Sequence, residues 1–372
     1  MTVLFPLIAF TQQRERWIAL PQEQWPTIAL TNHVEFKNGD KYIDPSFAYA
    51  GTGFLIDNGI DTFAVTAKHI LWVARNKQSS SVQINDALSK WTMKPKDGNS
   101  DSAIINQLLN EDSLELLMGA ESTILERDVL VFSVKNVTKG IHVLKPRYNN
   151  VVAGEKVFIV GNPYSAPTTQ VYETRVLRKL GRDILIEQLP GKPVPGISGS
   201  PVIDSSGHVI GIFSAASSDG DKDVYVAISS EYLKDVLARK PNFNKPLQDY
   251  GTLLLHAVLK KGTASAIAQY EELIREPKNF YVFNLRSSNR NGLRETGEKL
   301  IEMKRYNDAV DILRFNVGVN SGYFHHYNLL ANAWLLAGNK EEAIRIYEIS
   351  TTKLDNKNEN PAFAELEKLK HR

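Results

Sequence analysis

Pro195-Gly196-Ile197-Ser198-Gly199-Ser200-Pro201, followed by Val202-Ile203-Asp204, sets a serine between glycines at the mouth of an apolar strand. Glycines at such a place let the backbone turn sharply and present N–H groups inward. An exposed hydroxyl beside backbone donors is what acyl transfer needs, both as nucleophile and as a cradle for a developing oxyanion. A Gly-x-Ser-Gly string also occurs as an ordinary turn. It acquires meaning only if a histidine and a carboxylate stand upstream in suitable contexts.

Around that turn the chain has 372 residues, enough for two domains with separate cores. Hydrophobic residues make up 42% and charged residues 23%, the proportions of a soluble globular protein. Lys plus Arg exceed Asp plus Glu only by 44 to 42, which removes the electrostatic case for nucleic acid or an acidic membrane as main partner. Cysteine is absent, so disulfides, thiol catalysis and Cys-ligated metals are excluded. The apolar run 3–10 lacks a preceding basic region and a small-residue cleavage site. No run approaches the length of a membrane span. The expectation is a cytoplasmic protein without cofactor or metal.

Residues 1–240 read as β-rich. Short apolar runs such as Phe54-Leu55-Ile56, Phe63-Ala64-Val65, Val129-Leu130-Val131-Phe132 and Val157-Phe158-Ile159-Val160 are separated by Gly, Pro, Asn and Asp turns. That spacing suggests an antiparallel sandwich or barrel. The first clear helix covers 229–240, with Ser229 or Ser230 as cap and Tyr232, Leu233, Val236 and Leu237 as its apolar stripe. Residues 76–126 alternate Ser/Asn/Asp-rich pieces with short apolar runs and read as an elaborated surface insertion.

Two further stretches carry chemistry. Phe63-Ala64-Val65-Thr66-Ala67-Lys68-His69-Ile70-Leu71 ends a buried strand on a histidine, and Glu126-Arg127-Asp128 places a carboxylate at the mouth of another. With Ser198 they stand in the chain order His, Asp, Ser. Asp183, before Ile184-Leu185-Ile186, competes with Asp128 for the acid's place, although it lies in the hairpin that leads to the serine.

The first domain resembles a trypsin-like serine peptidase, nearest the bacterial high-temperature-requirement branch. Residues 51–56 with 65–69 resemble that family's histidine hairpin, and Asp128-Val129-Leu130-Val131 its Asp-Ile-Ala strand. Residues 153–163 resemble the opening of its second barrel, 196–201 its nucleophile turn, and 207–212 with 225–228 the strands that follow. The resemblance implies a double β-barrel, with Ser198 as nucleophile, His69 as general base and Asp128 as its orienting acid. It also implies an oxyanion hole from the N–H groups of Gly196 and Ser198, and a strand Phe213-Ser214-Ala215 that pairs with extended substrate. Ile197 stands where zymogen-activated members carry an acid, so activation through a new N-terminal ammonium has no counter-charge here. Lys192 falls in the loop that lines the family's first specificity pocket. It either favours acidic side chains before the cut or points to solvent. His33, His142 and His208, in polar or turn contexts, are expected at the surface. His325-His326 has no companion at metal-ligand spacing.

Beyond residue 240 the character changes. Prolines and asparagines make 241–249 a linker, and 250–372 reads as helix pairs. Ala309 and Ala343 are 34 residues apart, and Gly297 with Ala331 and Leu313 with Tyr347 keep the same period. Small residues at that spacing let paired helices approach closely, and the pattern resembles the tetratricopeptide repeat. Lys304 stands where that repeat usually has glycine. An irregular helix pair is expected over 250–275. A last helix should start at Asn360-Pro361, with Phe363, Leu366 and Leu369 sealing the array. The expected organisation is a peptidase domain at 1–240, a linker at 241–249 and an all-α helical-repeat domain at 250–372. The expected activity is peptide-bond hydrolysis, with the repeats recruiting a protein or peptide partner or regulating access. A catalytically silent peptide-binding module and a scaffold built on the repeats are the other two readings.

Overall fold

The computed structural model of the chain describes residues 14–37, 46–74, 79–118, 122–149, 151–189, 195–219, 222–238, 247–276, 278–279, 282–285, 291–354 and 356–371. The chain divides into two compact units. The first comprises Met1–Lys179, Ile184–Ala215 and Tyr225–Asn244, the second Leu180–Asp183, Ala216–Val224 and Lys245–Arg372. Residues 3–10 and 241–246, the latter most of the expected linker, lie outside the described residues.

Fourteen strands among the described residues account for the β-rich half. β1 (Leu30–Phe36), β2 (Thr52–Asp57), β3 (Thr62–Thr66), β5 (Leu88–Lys94), β6 (Ala103–Leu108) and β8 (Leu130–Val137) close a barrel in the order β1-β2-β3-β8-β6-β5. β4 (Ser81–Val82) and β7 (Asp112–Leu116) pair outside it as a two-stranded ribbon. β9 (Lys156–Gly161), β10 (Gln170–Leu180), β11 (Asp183–Glu187), β12 (Pro201–Asp204), β13 (Val209–Asp219) and β14 (Lys222–Ser229) close a second barrel in the order β10-β11-β14-β13-β12-β9. Closure leaves neither sheet with an edge strand, the usual solution for many short antiparallel strands.

Three apolar clusters hold this arrangement. Leu55, Trp91, Met93 and Phe132 fill the first barrel, with the Trp91 and Phe132 rings 4.6 Å apart. Val157, Ile159, Val202 and Ile210 fill the second. Phe54, Ile56, Val131, Phe158, Ile203 and Ile212 pack the barrels against each other. Helix α1 (Ser230–Leu237) follows β14 and joins that seam through Tyr232, Leu233 and Val236, with Ser229 accepting a bond from the Glu231 N–H as cap.

The described residues of 76–126 are only in part the expected surface insertion, since β4 and β7 lie outside the barrel and the rest does not. They supply β5 and β6 of the first barrel, and Trp91, Met93, Ala103 and Leu108 lie in its core. The misreading has a physical cause. In β5 the buried Trp91 and Met93 alternate with polar residues, and polar turns flank the short strands on both sides.

The second unit contains seven α-helices among the described residues. They are α2 (Gly251–Lys261), α3 (Thr263–Arg275), α4 (Gly292–Glu302), α5 (Tyr306–Val319), α6 (Phe324–Leu336), α7 (Lys340–Lys353) and α8 (Ala362–Lys370). Their apolar faces meet in one cluster that includes Leu254, Leu300, Leu313 and Leu330. At the α4–α5 crossing a Cβ on Gly297 would lie 2.4 Å from Leu313 Cδ2, so the expected small residue is required by contact. The Asn360 side chain accepts from the Ala362 N–H at 3.1 Å and caps α8. No helix is long and apolar enough to cross a membrane among the described residues.

Lys304 and Gly338 end corresponding helices 34 residues apart, and both adopt the left-handed conformation, at φ 58° and 86°. Each is followed by the same reversal, Arg305 N–H to Leu300 C=O at 2.8 Å and Asn339 N–H to Trp334 C=O at 3.0 Å. A side chain in that conformation costs about 1–2 kcal/mol, part of which glycine gives back through the freedom of its unfolded chain. Lys304→Gly should therefore raise stability by roughly 0.5–1 kcal/mol, read as a higher Tm in thermal melts followed by helical circular dichroism. A lower Tm would show that the lysine side chain makes up for its backbone.

Candidate active site

β3 ends at Thr66, and the chain turns through a 3₁₀ segment, Lys68–Trp72, that carries His69. Asp128 stands two residues before the start of β8, in a tight reversal closed by the Val129 N–H on the Arg127 carbonyl at 2.7 Å. β3 and β8 are paired neighbours, so the two residues leave adjacent strand ends. The His69 N–H donates to Asp128 Oδ1 at 2.8 Å, and His69 Nδ1 lies 2.7 Å from Asp128 Oδ2. His69 Nε2 lies 2.8 Å from Ser198 Oγ.

The partners assign the protons. Asp128 is fully buried, and its Oδ2 also accepts a hydrogen bond from Ser214 Oγ. Burial pushes the Asp128 carboxyl up, but His69 and the hydrogen bonds outweigh it and hold the group below the ordinary carboxylate range. An ionised carboxylate only accepts, so His69 Nδ1 carries the proton and Nε2 offers its lone pair to the serine hydroxyl. Burial pushes the imidazole down, yet the Asp128 carboxylate holds it above its ordinary value. An imidazole oriented in this way can take the hydroxyl proton and keep it.

The serine turn is fixed through its carbonyls. Thr52 Oγ1 donates to the Gly196 carbonyl at 2.8 Å, and the Thr52 N–H to that of Ser198 at 2.8 Å. The Tyr164 N–H reaches the Pro195 carbonyl at 2.9 Å, and the Ser200 N–H that of Ile197 at 2.9 Å. No hydrogen bond to the N–H of Gly196 or Ser198 forms among the described residues. Ile197 is buried in the second barrel's core. Apolar packing thus sits where an acid would have made an ion pair.

Thr52 was not singled out by the sequence reading, although Gly51-Thr52-Gly53 lay within a matched stretch. It also accepts from the Asn162 N–H at 2.9 Å, while Thr66 Oγ1 donates to its carbonyl at 2.6 Å. One hydroxyl thereby ties the serine turn to both barrels. Nothing in a lone Thr between glycines signals that role.

The other expected positions divide. Ser214 meets the site through its hydroxyl. Phe213 is buried, and its N–H and C=O are engaged by Ser200 and Gly199, both at 2.8 Å, so any open main-chain edge begins after it. Ala215 follows in β13, half-buried. Lys192 lies outside the described residues. Asp183 opens β11, and the carboxylate at His69 Nδ1 belongs to Asp128. His208 is not at the surface but 1% exposed, because its turn tucks under the segment at Glu15 and Trp17.

Residues 51–212 match the family model of the trypsin-like peptidase domain. Among solved structures, the serine endoprotease from Yersinia pestis is similar at 18% identity with a TM-score of 0.38. That alignment covers 57% of this chain and 63% of the other. No curated protein matches the chain.

Proposed function

We propose that this chain is a serine endopeptidase that cleaves peptide bonds through an acyl-enzyme. The single observation that carries the reading is His69 bridging a buried Asp128 and the Ser198 hydroxyl at 2.7 and 2.8 Å. In this reading His69 Nε2 takes the proton of Ser198 Oγ as the oxygen attacks the substrate carbonyl. Asp128 keeps the imidazole in the correct tautomer and stabilises its cation. The N–H groups of Gly196 and Ser198 receive the oxyanion, each contributing about 3–4 kcal/mol in the transition state. The imidazolium then returns the proton to the leaving amine, and water repeats the sequence on the ester.

Extended substrate pairs with the main chain of Ser214 and Ala215 in β13, since Phe213 has no main-chain group to offer. Activation by a new N-terminal ammonium is not available to a turn anchored by Ile197, so control falls elsewhere. The helices of residues 250–372, read as a tetratricopeptide-like array, recruit a protein partner or substrate and set that control.

A fluorophosphonate probe tests the reading directly. Wild-type protein should be labelled covalently, and Ser198→Ala should not. Absence of Ser198-dependent labelling in full-length protein, alone and with casein as substrate mimic, would remove the peptidase assignment.

A further inference from the structure

The residues that precede His69 and Asp128 in the chain, Lys68 and Arg127, are both buried cations. A single carboxylate joins them. Glu115 Oε2 accepts from Lys68 Nζ at 2.7 Å, with both side chains at 0% exposure. Glu115 Oε1 lies 3.3 Å from Arg127 NH2 and accepts from Thr123 Oγ1 at 3.4 Å. Arg127 NH2 donates to Thr123 Oγ1 at 2.6 Å, and NH1 lies 3.9 Å from Asp112 Oδ2 at the rim. Glu115 reaches this place because β7 alternates, with Glu115 and Leu117 turned in and Leu114 and Leu116 turned out.

We infer that Glu115 is a positioning residue for the catalytic pair, acting through Lys68 and Arg127 on the backbone that presents His69 and Asp128. The inference rests on the peptidase reading and explains what the β4–β7 ribbon contributes to it. Two buried cations without a counter-ion between them would repel each other and compete for Asp128, the carboxylate that orients His69. Burial alone pushes the Lys68 ammonium below its ordinary value, against the pull of Glu115. With Glu115 in place, each oxygen holds one cation, and each cation holds the peptide unit beside one member of the pair. Glutamine in the same position accepts from one cation and turns its NH₂ toward the other, so one of the two segments is released.

A displacement of about 1 Å at a reacting group lowers turnover by about 10²-fold. Glu115→Gln should therefore reduce kcat on a peptide substrate by roughly 10- to 100-fold while KM changes less than about twofold. The low-field proton resonance of the short His69 Nδ1–H to Asp128 bond should broaden or move upfield in the same variant. Wild-type kcat together with an unchanged resonance in folded Glu115→Gln would overturn the inference. Where that variant fails to fold, the triple replacement Lys68→Met, Glu115→Leu, Arg127→Met removes every charge of the bridge and restores apolar packing. It should fold with a Tm near wild type, yet keep kcat at least about 10-fold down, because apolar packing does not direct the two segments. A stable triple variant with wild-type kcat and resonance would equally overturn it. If wild-type protein shows no Ser198-dependent labelling, the peptidase reading fails, and the resonance alone decides whether Glu115 holds His69 to Asp128.

Discussion

Asp128→Asn should lower kcat by about 10⁴-fold at neutral pH while leaving the fold intact. The carboxylate accepts three hydrogen bonds, from the His69 N–H, from the His69 ring and from Ser214 Oγ. Asparagine keeps the shape but has one accepting oxygen. If its amide N–H₂ faces Nδ1, the imidazole must take the other tautomer, and Nε2 then carries a proton and cannot accept one from Ser198. The variant also loses the charge that holds the imidazole above its ordinary value. The sign follows. On the peptidase reading the wild-type base is active when neutral, so activity falls as pH drops through a raised His69 value, placing the acid limb above the ordinary imidazole range. In Asp128→Asn, burial acts without opposition and the acid limb moves to lower pH, on a much smaller maximum. A pH profile of kcat/KM for both proteins checks depth and direction together. A loss under about tenfold, or an acid limb that does not move, would mean that Asp128 does not govern the imidazole.

The candidate positions that were legible in the sequence are those where one residue type in one local pattern suggests a chemistry. Ser198 between glycines, His69 at the end of an apolar strand and Asp128 at the start of another are of this kind, and they meet within hydrogen-bond distance. Barrel strands built on an unbroken apolar run, such as Phe54-Leu55-Ile56 in β2 and Val157-Phe158-Ile159-Val160 in β9, were legible for the same reason. What escaped were relations between distant segments. Thr52 holds the serine turn through the Gly196 carbonyl 144 residues away, and Glu115 reaches Lys68 across 47. Ser214 was noted for its main chain, whereas its hydroxyl is what reaches Asp128. β5 escaped because one face of a barrel strand is polar, and its sequence then looks like loop.

Gly199→Ala should destabilise the first unit by more than about 3 kcal/mol and abolish Ser198-dependent labelling even in the fraction that stays folded. Two effects add at this position. Its φ is +86°, and a side chain there costs about 1–2 kcal/mol. The added Cβ would also stand 2.2 Å from the Thr52 carbonyl oxygen, 2.3 Å from Thr66 Oγ1 and 2.7 Å from the Ala67 N. Two of those atoms are backbone of the first barrel and cannot turn away, so the serine turn must lift. Ala67 lies two residues before His69, and Thr52 holds the Ser198 carbonyl, so lifting separates the hydroxyl from the imidazole. Gly59→Ala isolates the backbone effect, because Gly59 has φ +92° and nothing within 4 Å of its would-be Cβ. That variant should lose only about 1–2 kcal/mol and be labelled like wild type. The difference between the two alanines, measured by denaturant melts and probe labelling, is the contribution of close approach alone. Equal stability and equal labelling would mean that the serine turn is not seated against β2 and β3, and the geometry proposed for catalysis would fall with it.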